Sequence, residues 1–178
     1  TGADNVAIGS QALDANTTAN NNTAVGNYAL GANTTGAQNT AIGRAALLKN
    51  TTASYNVAVG YYALEDTTTG ANNVAVGSFA LESNTASNNT AVGDVALRVN
   101  TSGSSNTAVG KGSLGANTTA SNNTAIGYNS LLLNTTGTGN SALGRQALDA
   151  NTTGDYNTAL GLNALSANTT ANDNTAVG

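Results

Sequence analysis

Apolar and polar residues follow one short order along the chain, and the order returns about every 17 residues. The unit reads N-T-A-V-G-x-x-A-L-x-x-N-T-T-G-x-x, with an aliphatic residue at the V position and the first Ala and the Leu constant. A Gly closes the first apolar pair of every unit. These glycines give nine intervals of 17 residues and one of 16, the latter from Gly77 to Gly93. A fixed short period indicates stacked repeats that bury their apolar residues against one another.

The unit is too short for a helical hairpin, which needs about 34 residues. Thr, Asn and Gly in every unit also disfavour an α-helix. The segments T-A-V-G and x-A-L-x are typical of two short strands, with N-T-T-G as a corner. We therefore predict an all-β fold, a parallel β-solenoid (β-roll) of about ten coils of 17 residues. Coils about 4.8 Å apart would make a rod about 50 Å long.

Each constant position has a predicted structural role. Gly allows positive φ directly after the first strand, and Val or Ile joins Leu in an apolar seam. Asn tolerates left-handed geometry at a corner, and its amide can pair with the Asn one coil away. The shortened unit is expected to lose its residue within residues 84–87. The predicted ladders include Asn22, Asn39, Asn56, Asn73 and Asn89; Gly26, Gly43, Gly60, Gly77 and Gly93; and Leu30, Leu47, Leu64, Leu81 and Leu97.

The variable positions test this register, because residues one period apart should be neighbours. Opposite charges do fall one period apart, in the pairs Lys49–Asp66, Glu82–Arg98 and Asp94–Lys111. Ring and cation pairs also recur at one period, namely Tyr62–Phe79, Arg44–Tyr61, Lys111–Tyr128 and Tyr128–Arg145. Glu65 over Glu82 is the pair of like charges. Exposed ion pairs contribute only about 0.2–1 kcal/mol each, so their value is as evidence for the stacking.

Adjacent apolar pairs raise the question of a second apolar face. In a strand, one member of Ala-Val or Ala-Leu must face away from the interior. Such a face needs partner chains, unless Ala simply tolerates exposure. Five further apolar residues are candidates for lateral or receptor contact, although isolated surface apolar residues are common. They are Leu48, Val99, Leu132, Leu133 and Leu162.

Composition excludes several functions. Only 8% of the residues are charged, the net charge is −4, and His, Cys, Pro, Met and Trp are absent. Five cations without clustering exclude nucleic-acid binding, and no apolar run reaches the ~18 residues of a membrane span. Without His or Cys, common nucleophile–base pairs and transition-metal sites cannot form. We predict no enzyme activity and no catalytic, cofactor or metal residue; Glu65 and Glu82 are solvated charges rather than a cation site.

The strings Asn5-Val6-Ala7-Ile8-Gly9 and Asn56-Val57-Ala58-Val59-Gly60 resemble the head repeat of trimeric autotransporter adhesins of the YadA type. Related repeats occur in phage and phage-like tail fibres. The resemblance covers the whole chain, but each unit here carries an additional Asn-Thr-Thr corner. It implies a left-handed parallel β-roll assembled as a homotrimer.

These observations favour a passive structural segment of an extracellular fibre, a surface adhesin head or stalk or a tail fibre, on a cell surface or virion-like particle. Residues 1–178 are then one solenoid segment of a longer fibrous protein, presenting a multivalent surface to a cell-surface or glycan receptor. One alternative is a filament subunit that stacks end to end through unpaired strand edges. Another is an ice-binding solenoid, although adjacent Thr-Thr residues split its Thr files between two faces. One such file is Thr17, Thr34, Thr51, Thr68, Thr85, Thr101, Thr118, Thr135, Thr152 and Thr169.

Overall fold

The computed structural model describes residues 2–178, which form a parallel β-solenoid with one sheet of eleven strands in chain order. Each strand pairs in parallel with the strand of the next coil, so the predicted fold class is confirmed. The strands are Val6–Ile8 (β1), Thr23–Val25 (β2), Thr40–Ile42 (β3), Val57–Val59 (β4), Val74–Val76 (β5), Thr90–Val92 (β6), Thr107–Val109 (β7), Thr124–Ile126 (β8), Ser141–Leu143 (β9), Thr158–Leu160 (β10) and Thr175–Val177 (β11).

We number the coils from the Asn that opens each unit. Coils 1–5 are residues 5–21, 22–38, 39–55, 56–72 and 73–88, and coils 6–10 are residues 89–105, 106–122, 123–139, 140–156 and 157–173. Coil 5 has one residue fewer than the others, yet β5 pairs with β6 in the usual register, with Val74 opposite Thr90. Thr85 N–H donates to the Thr101 carbonyl, and Ala71 N–H to Ser87 Oγ, each 16 residues on. The gap therefore falls between Thr85 and Ala86, as predicted.

The interior of most coils contains two Ala and one Leu, shown in coil 2 by Ala24, Ala29 and Leu30, all fully buried. Ser113 and Ser130 take the place of the second Ala in coils 7 and 8. The prediction that Val or Ile fills the seam beside Leu is wrong. Val25 is only half-buried, and Ile42 is 40% exposed. Successive strand side chains alternate between faces, and the narrow interior takes the small Ala while the branched residue points outward.

The predicted second strand is also wrong, because the A-L segment is a turn. Tyr28 and Leu30 have φ of 61° and 50°, so the chain bends on both sides of Ala29. Side chains therefore do not alternate there, and Ala29 and Leu30 both point inward. The turn still bonds between coils, since Leu30 N–H donates to the Ala46 carbonyl at 3.0 Å. Of the two predicted apolar pairs, only Ala-Val presents a member to the outside.

The glycine after each strand has the predicted positive φ. The φ angles of Gly26, Gly43, Gly60, Gly77 and Gly93 lie between 134° and 146°. The next coil also approaches closely at this point: a Cβ on Gly77 would lie 2.5 Å from the Gly93 carbonyl oxygen. Both the backbone angle and the stacking distance thus require Gly.

The opening asparagines form a buried ladder. Asn39 N–H donates to Oδ1 of Asn22 at 2.9 Å, and Nδ2 of Asn22 donates to the Gly36 carbonyl of its own coil at 3.0 Å. The same bonds recur at Asn56, Asn73 and Asn89. The predicted contact between coils is confirmed, but it runs mainly through the backbone N–H. The predicted left-handed geometry is wrong, since the positive φ belongs to the preceding residue, such as Asn21 (59°).

A second Asn ladder, missed by the sequence reasoning, occupies the N-T-T corner. Asn50 Nδ2 donates to Oδ1 of Asn33 at 2.8 Å, and Asn33 Nδ2 to the Gly36 carbonyl at 2.9 Å. This Asn recurs in every unit except at Thr67, and that constancy was the sequence signal that could have revealed the second ladder. These corner asparagines are Asn16, Asn33, Asn50, Asn84, Asn100, Asn117, Asn134, Asn151 and Asn168.

Candidate interaction surface

The last residue of each strand points away from the interior and forms a continuous outward aliphatic file. Its neighbour in the strand is the inward Ala, as at Ala41 beside Ile42, so alternation along the strand fixes the outward direction. Away from the two ends of the rod, exposure reaches 48% at Leu143 and 43% at Leu160. The outward aliphatic file is Ile8, Val25, Ile42, Val59, Val76, Val92, Val109, Ile126, Leu143, Leu160 and Val177.

The first residue of each strand lies on the same outward face and is Thr, Val or Ser. Three residues per strand and eleven strands give a strip about 10 Å wide and 50 Å long, or roughly 500 Å². The outward aliphatic file takes up about half of that area, because eight of the eleven first residues are Thr or Ser. Its apolar area approaches the lower end of the largest apolar patches on monomers, about 300–600 Å² and often functional. A shallow groove of about 270 Å³ runs along it between Ile126, Leu143 and Leu160. Charged residues are absent from all eleven strands, so the strip can be buried against an apolar partner surface.

The apolar residues proposed for lateral contact do not form one patch. Val99, Leu132 and Leu133 come together around a groove of about 370 Å³ in coils 6–8. Its floor forms because coil 7 has Gly112 and Gly115 where neighbouring coils carry larger side chains. Leu133 is 49% exposed and is the most open member of this group. The structure thus unites three of the five predicted residues.

The other two predicted contact residues lie apart. Leu48 lines a smaller groove of about 160 Å³ with Tyr28 and Gly31, at the turns of coils 1–3. Leu162 is 60% exposed and lines neither groove. Their role in receptor contact stays a prediction.

The predicted charge register is confirmed by three ion pairs between adjacent coils. Lys49 Nζ lies 2.6 Å from Asp66, Arg98 Nε 2.6 Å from Glu82, and Lys111 Nζ 3.2 Å from Asp94. The hydrogen bond from Lys49 to Asp66 and the attraction of the two charges raise the pKa of the Lys49 ammonium.

Glu65 lies in an unfavourable environment for a carboxylate. Burial raises the pKa of Glu65, and the negative charges of Asp66 and Glu82 raise it further, while Lys49 opposes them. This agrees with the predicted like-charge pair of Glu65 and Glu82. Glu65 and Glu82 are half-buried, and neither lines one of the three grooves described above.

Aromatic residues also stack in the predicted register. The rings of Tyr62 and Phe79 are 5.8 Å apart and nearly parallel, and Arg44 donates to the Tyr61 hydroxyl at 3.0 Å. Arg145 lies 5.9 Å from the centre of the Tyr128 ring. The predicted contact between Lys111 and Tyr128 is not among the cation–π pairs of residues 2–178, where Lys111 instead pairs with Asp94.

The Thr file at the corner bonds within the rod. Thr34 Oγ1 donates to the Thr51 carbonyl at 2.9 Å, and Thr101 Oγ1 to the Thr118 carbonyl at 3.0 Å. Hydroxyls directed along the rod axis in this way are engaged in coil stacking. In the adjacent file, Thr35 and Thr52 are exposed.

In the described part of the chain, no group of three or more Asp and Glu side chains is placed to hold a metal ion. None of its secondary-structure elements is a helix able to cross a membrane. No family model, no curated protein and no solved structure matches this chain.

Proposed function

We propose that this chain is a passive structural segment of an extracellular fibre, such as an adhesin head or stalk or a tail fibre. The unbroken parallel ladder of eleven strands supports this, because backbone bonds join neighbouring coils both at the strands and at the A-L turns. Coil stacking gives a stiff rod that can be lengthened without changing its cross-section. The rod projects or presents a surface on which weak receptor contacts, including contacts with a glycan, are multiplied.

The observation that carries the proposal is the outward aliphatic file. A single solenoid buries only its inner face, and this file leaves an apolar strip along the whole rod. We infer that copies of the chain cover it in a homotrimer, in which each rod contacts two others. The left-handed coil and the trimer follow the resemblance to adhesin heads, and the file supplies a surface suited to such contact.

Sedimentation and electron microscopy of the purified protein test this function. The proposal expects three times the mass of one chain and short rods of uniform width. A monomer at every concentration would contradict the trimer. Long unbranched fibres growing with time would favour the alternative, a filament subunit that stacks end to end.

A further inference from the structure

Coils 4 and 5 contain two interior interruptions at the same level of the rod. Thr67 replaces the corner Asn, and its hydroxyl donates to the Asn84 carbonyl at 2.7 Å instead of continuing the amide ladder. Oδ1 of the fully buried Asn50 is left without a hydrogen-bond partner in the described structure. Buried polar atoms are nearly always paired. Asn50 lies in coil 3, so its unpaired oxygen marks the contact of coils 3 and 4, and Thr67 interrupts the amide ladder on both sides of coil 4.

The shortened corner of coil 5 removes a further bond between the same two coils. Thr51 N–H donates to the Thr68 carbonyl, and Thr101 N–H to the Thr118 carbonyl. Among the described backbone bonds, Thr68 N–H has no such bond to Thr85. Nδ2 of Asn84 bonds only within its own coil, to the Ala86 carbonyl, whereas Nδ2 of Asn100 also donates to Oδ1 of Asn84 in the preceding coil at 2.8 Å. The interior contact between coils 4 and 5 is therefore weaker at the corner.

The outer wall of the same coils carries a stack of rings and cations that we call the clasp. It consists of Arg44 in coil 3, Tyr61 and Tyr62 in coil 4, Phe79 in coil 5 and Arg98 in coil 6. All ring–ring contacts of the described residues lie within the clasp. Arg98 also pairs with Glu82 of coil 5.

Neighbours inside the clasp cover the rings that connect the two coils. Tyr62 lies between the guanidinium of Arg44, 5.4 Å from its centre, and the ring of Phe79. Phe79 lies between Tyr62 and the guanidinium of Arg98 at 5.0 Å. Stacking partners along the rod axis thus occupy these ring faces, which favours a role in coil contact over ligand binding.

We propose that the junction of coils 4 and 5 is a joint of the rod, weakened inside and held closed by the clasp outside. In a solenoid, stability is close to a sum of contacts between neighbouring coils. A weak contact in the middle therefore opens locally before the coils on either side unfold. The clasp keeps the two halves aligned, and this property belongs to the single chain whatever its assembly or receptor.

Residue-resolved hydrogen exchange tests the joint. Leu64 N–H bonds across it to the Ala80 carbonyl, and Leu114 N–H makes the same 3.0 Å bond to Ser130 at coils 7 and 8. We expect Leu64 to exchange about tenfold faster, equivalent to ~1.4 kcal/mol of opening free energy. Similar exchange rates at Leu64 and Leu114 would overturn the proposal.

The variant Tyr62→Ala/Phe79→Ala removes the centre of the clasp, and Ala45 shows that Ala fits this position in coil 3. We expect a further, roughly tenfold acceleration at Leu64, with Leu114 unchanged. The matched control is Gln146→Ala/Asn163→Ala, at the same positions of coils 9 and 10. Equal acceleration along the whole rod, or the same effect at Leu64 from the control, would overturn the joint.

The variant Thr67→Asn tests the joint of coils 4 and 5 independently of the clasp, and it does so even if the clasp variant does not fold. It restores the amide ladder and should slow exchange at Leu64 severalfold while leaving Leu114 unchanged. An unchanged rate at Leu64 would show that the interruption does not weaken the junction.

Discussion

Nδ2 of Asn50 donates a 2.8 Å hydrogen bond to Oδ1 of Asn33 in the preceding coil, but Oδ1 of Asn50 receives none in return from coil 4. The reason is Thr67, which has no amide to donate. An unsatisfied buried acceptor costs about 1–3 kcal/mol, and a typical hydrogen bond contributes about 0.5–1.5 kcal/mol. Thr67→Asn replaces the bond to Asn84 by the ladder bond and should raise the free energy of unfolding by ~1 kcal/mol.

Equilibrium denaturation by guanidinium measures this change. The matched control is Thr52→Asn, at an exposed corner position of coil 3, which should change stability by less than about 0.5 kcal/mol. A loss of stability in Thr67→Asn would show that the coil 4 corner cannot accept an amide.

The glycines that directly follow the strands should not tolerate a side chain. Gly77→Ala places a Cβ 2.5 Å from the Gly93 carbonyl oxygen at a φ of 136°, so it should cost about 3 kcal/mol or more. Gly31→Ala is the control, because the nearest atoms to its Cβ are 3.3 Å away. The control should change stability by less than about 1 kcal/mol. Similar thermal unfolding of both variants would argue against the close stacking of coils.

The three consecutive leucines at 131–133 offer a matched test of the interior. Leu131 is fully buried and Leu133 is 49% exposed. Leu131→Ala should cost about 2–5 kcal/mol through lost burial and a cavity, and Leu133→Ala less than about 0.5 kcal/mol. Denaturant titration of the two variants measures the difference. A larger loss for Leu133 would reverse the assigned faces of this turn.

Ionisation of Glu65 should oppose folding. Its folded pKa is raised above the ordinary value of 4.5, chiefly by burial. The unfolded chain therefore loses this proton first, and stability falls as pH rises from the ordinary pKa through the raised one. Glu65→Gln removes that penalty. The variant should be more stable than the parent at pH 7, with the gain shrinking toward pH 3, where Glu65 is protonated in both states. An equal gain at both pH values would assign the effect to packing.

The period alone predicted the stacking register, because residues one coil apart must be neighbours in any solenoid. It therefore located the Lys49–Asp66 pair and the Tyr62–Phe79 stack. It could not assign faces, since Ala24 and Val25 are both apolar and either could point inward. It also read the A-L segment as a strand, because a left-handed conformation costs a residue such as Leu30 about 1–2 kcal/mol. Stacking against identical turns above and below stabilises Leu30 in that conformation, and a single unit does not reveal this.

The same limit applies to the candidate surface. The adjacent apolar pairs predicted an outward apolar face. The structure was needed to show that Ile42 and its equivalents form that face. Val99, Leu132 and Leu133 are spread over 35 residues of sequence and meet only because coils 6–8 stack around Gly115.

The association of copies through the outward aliphatic file is tested most directly by the sedimenting mass of one charged variant. Ile126→Lys puts an ammonium within the strip, in the eighth of its eleven strands, where Ile126 is 38% exposed, so the single chain should still fold. The control, Thr119→Lys, changes an exposed corner of coil 7. We expect the parent and the control to sediment as trimers and Ile126→Lys as a folded monomer. A parent that sediments as a monomer, or an Ile126→Lys variant that remains a trimer, would contradict the account.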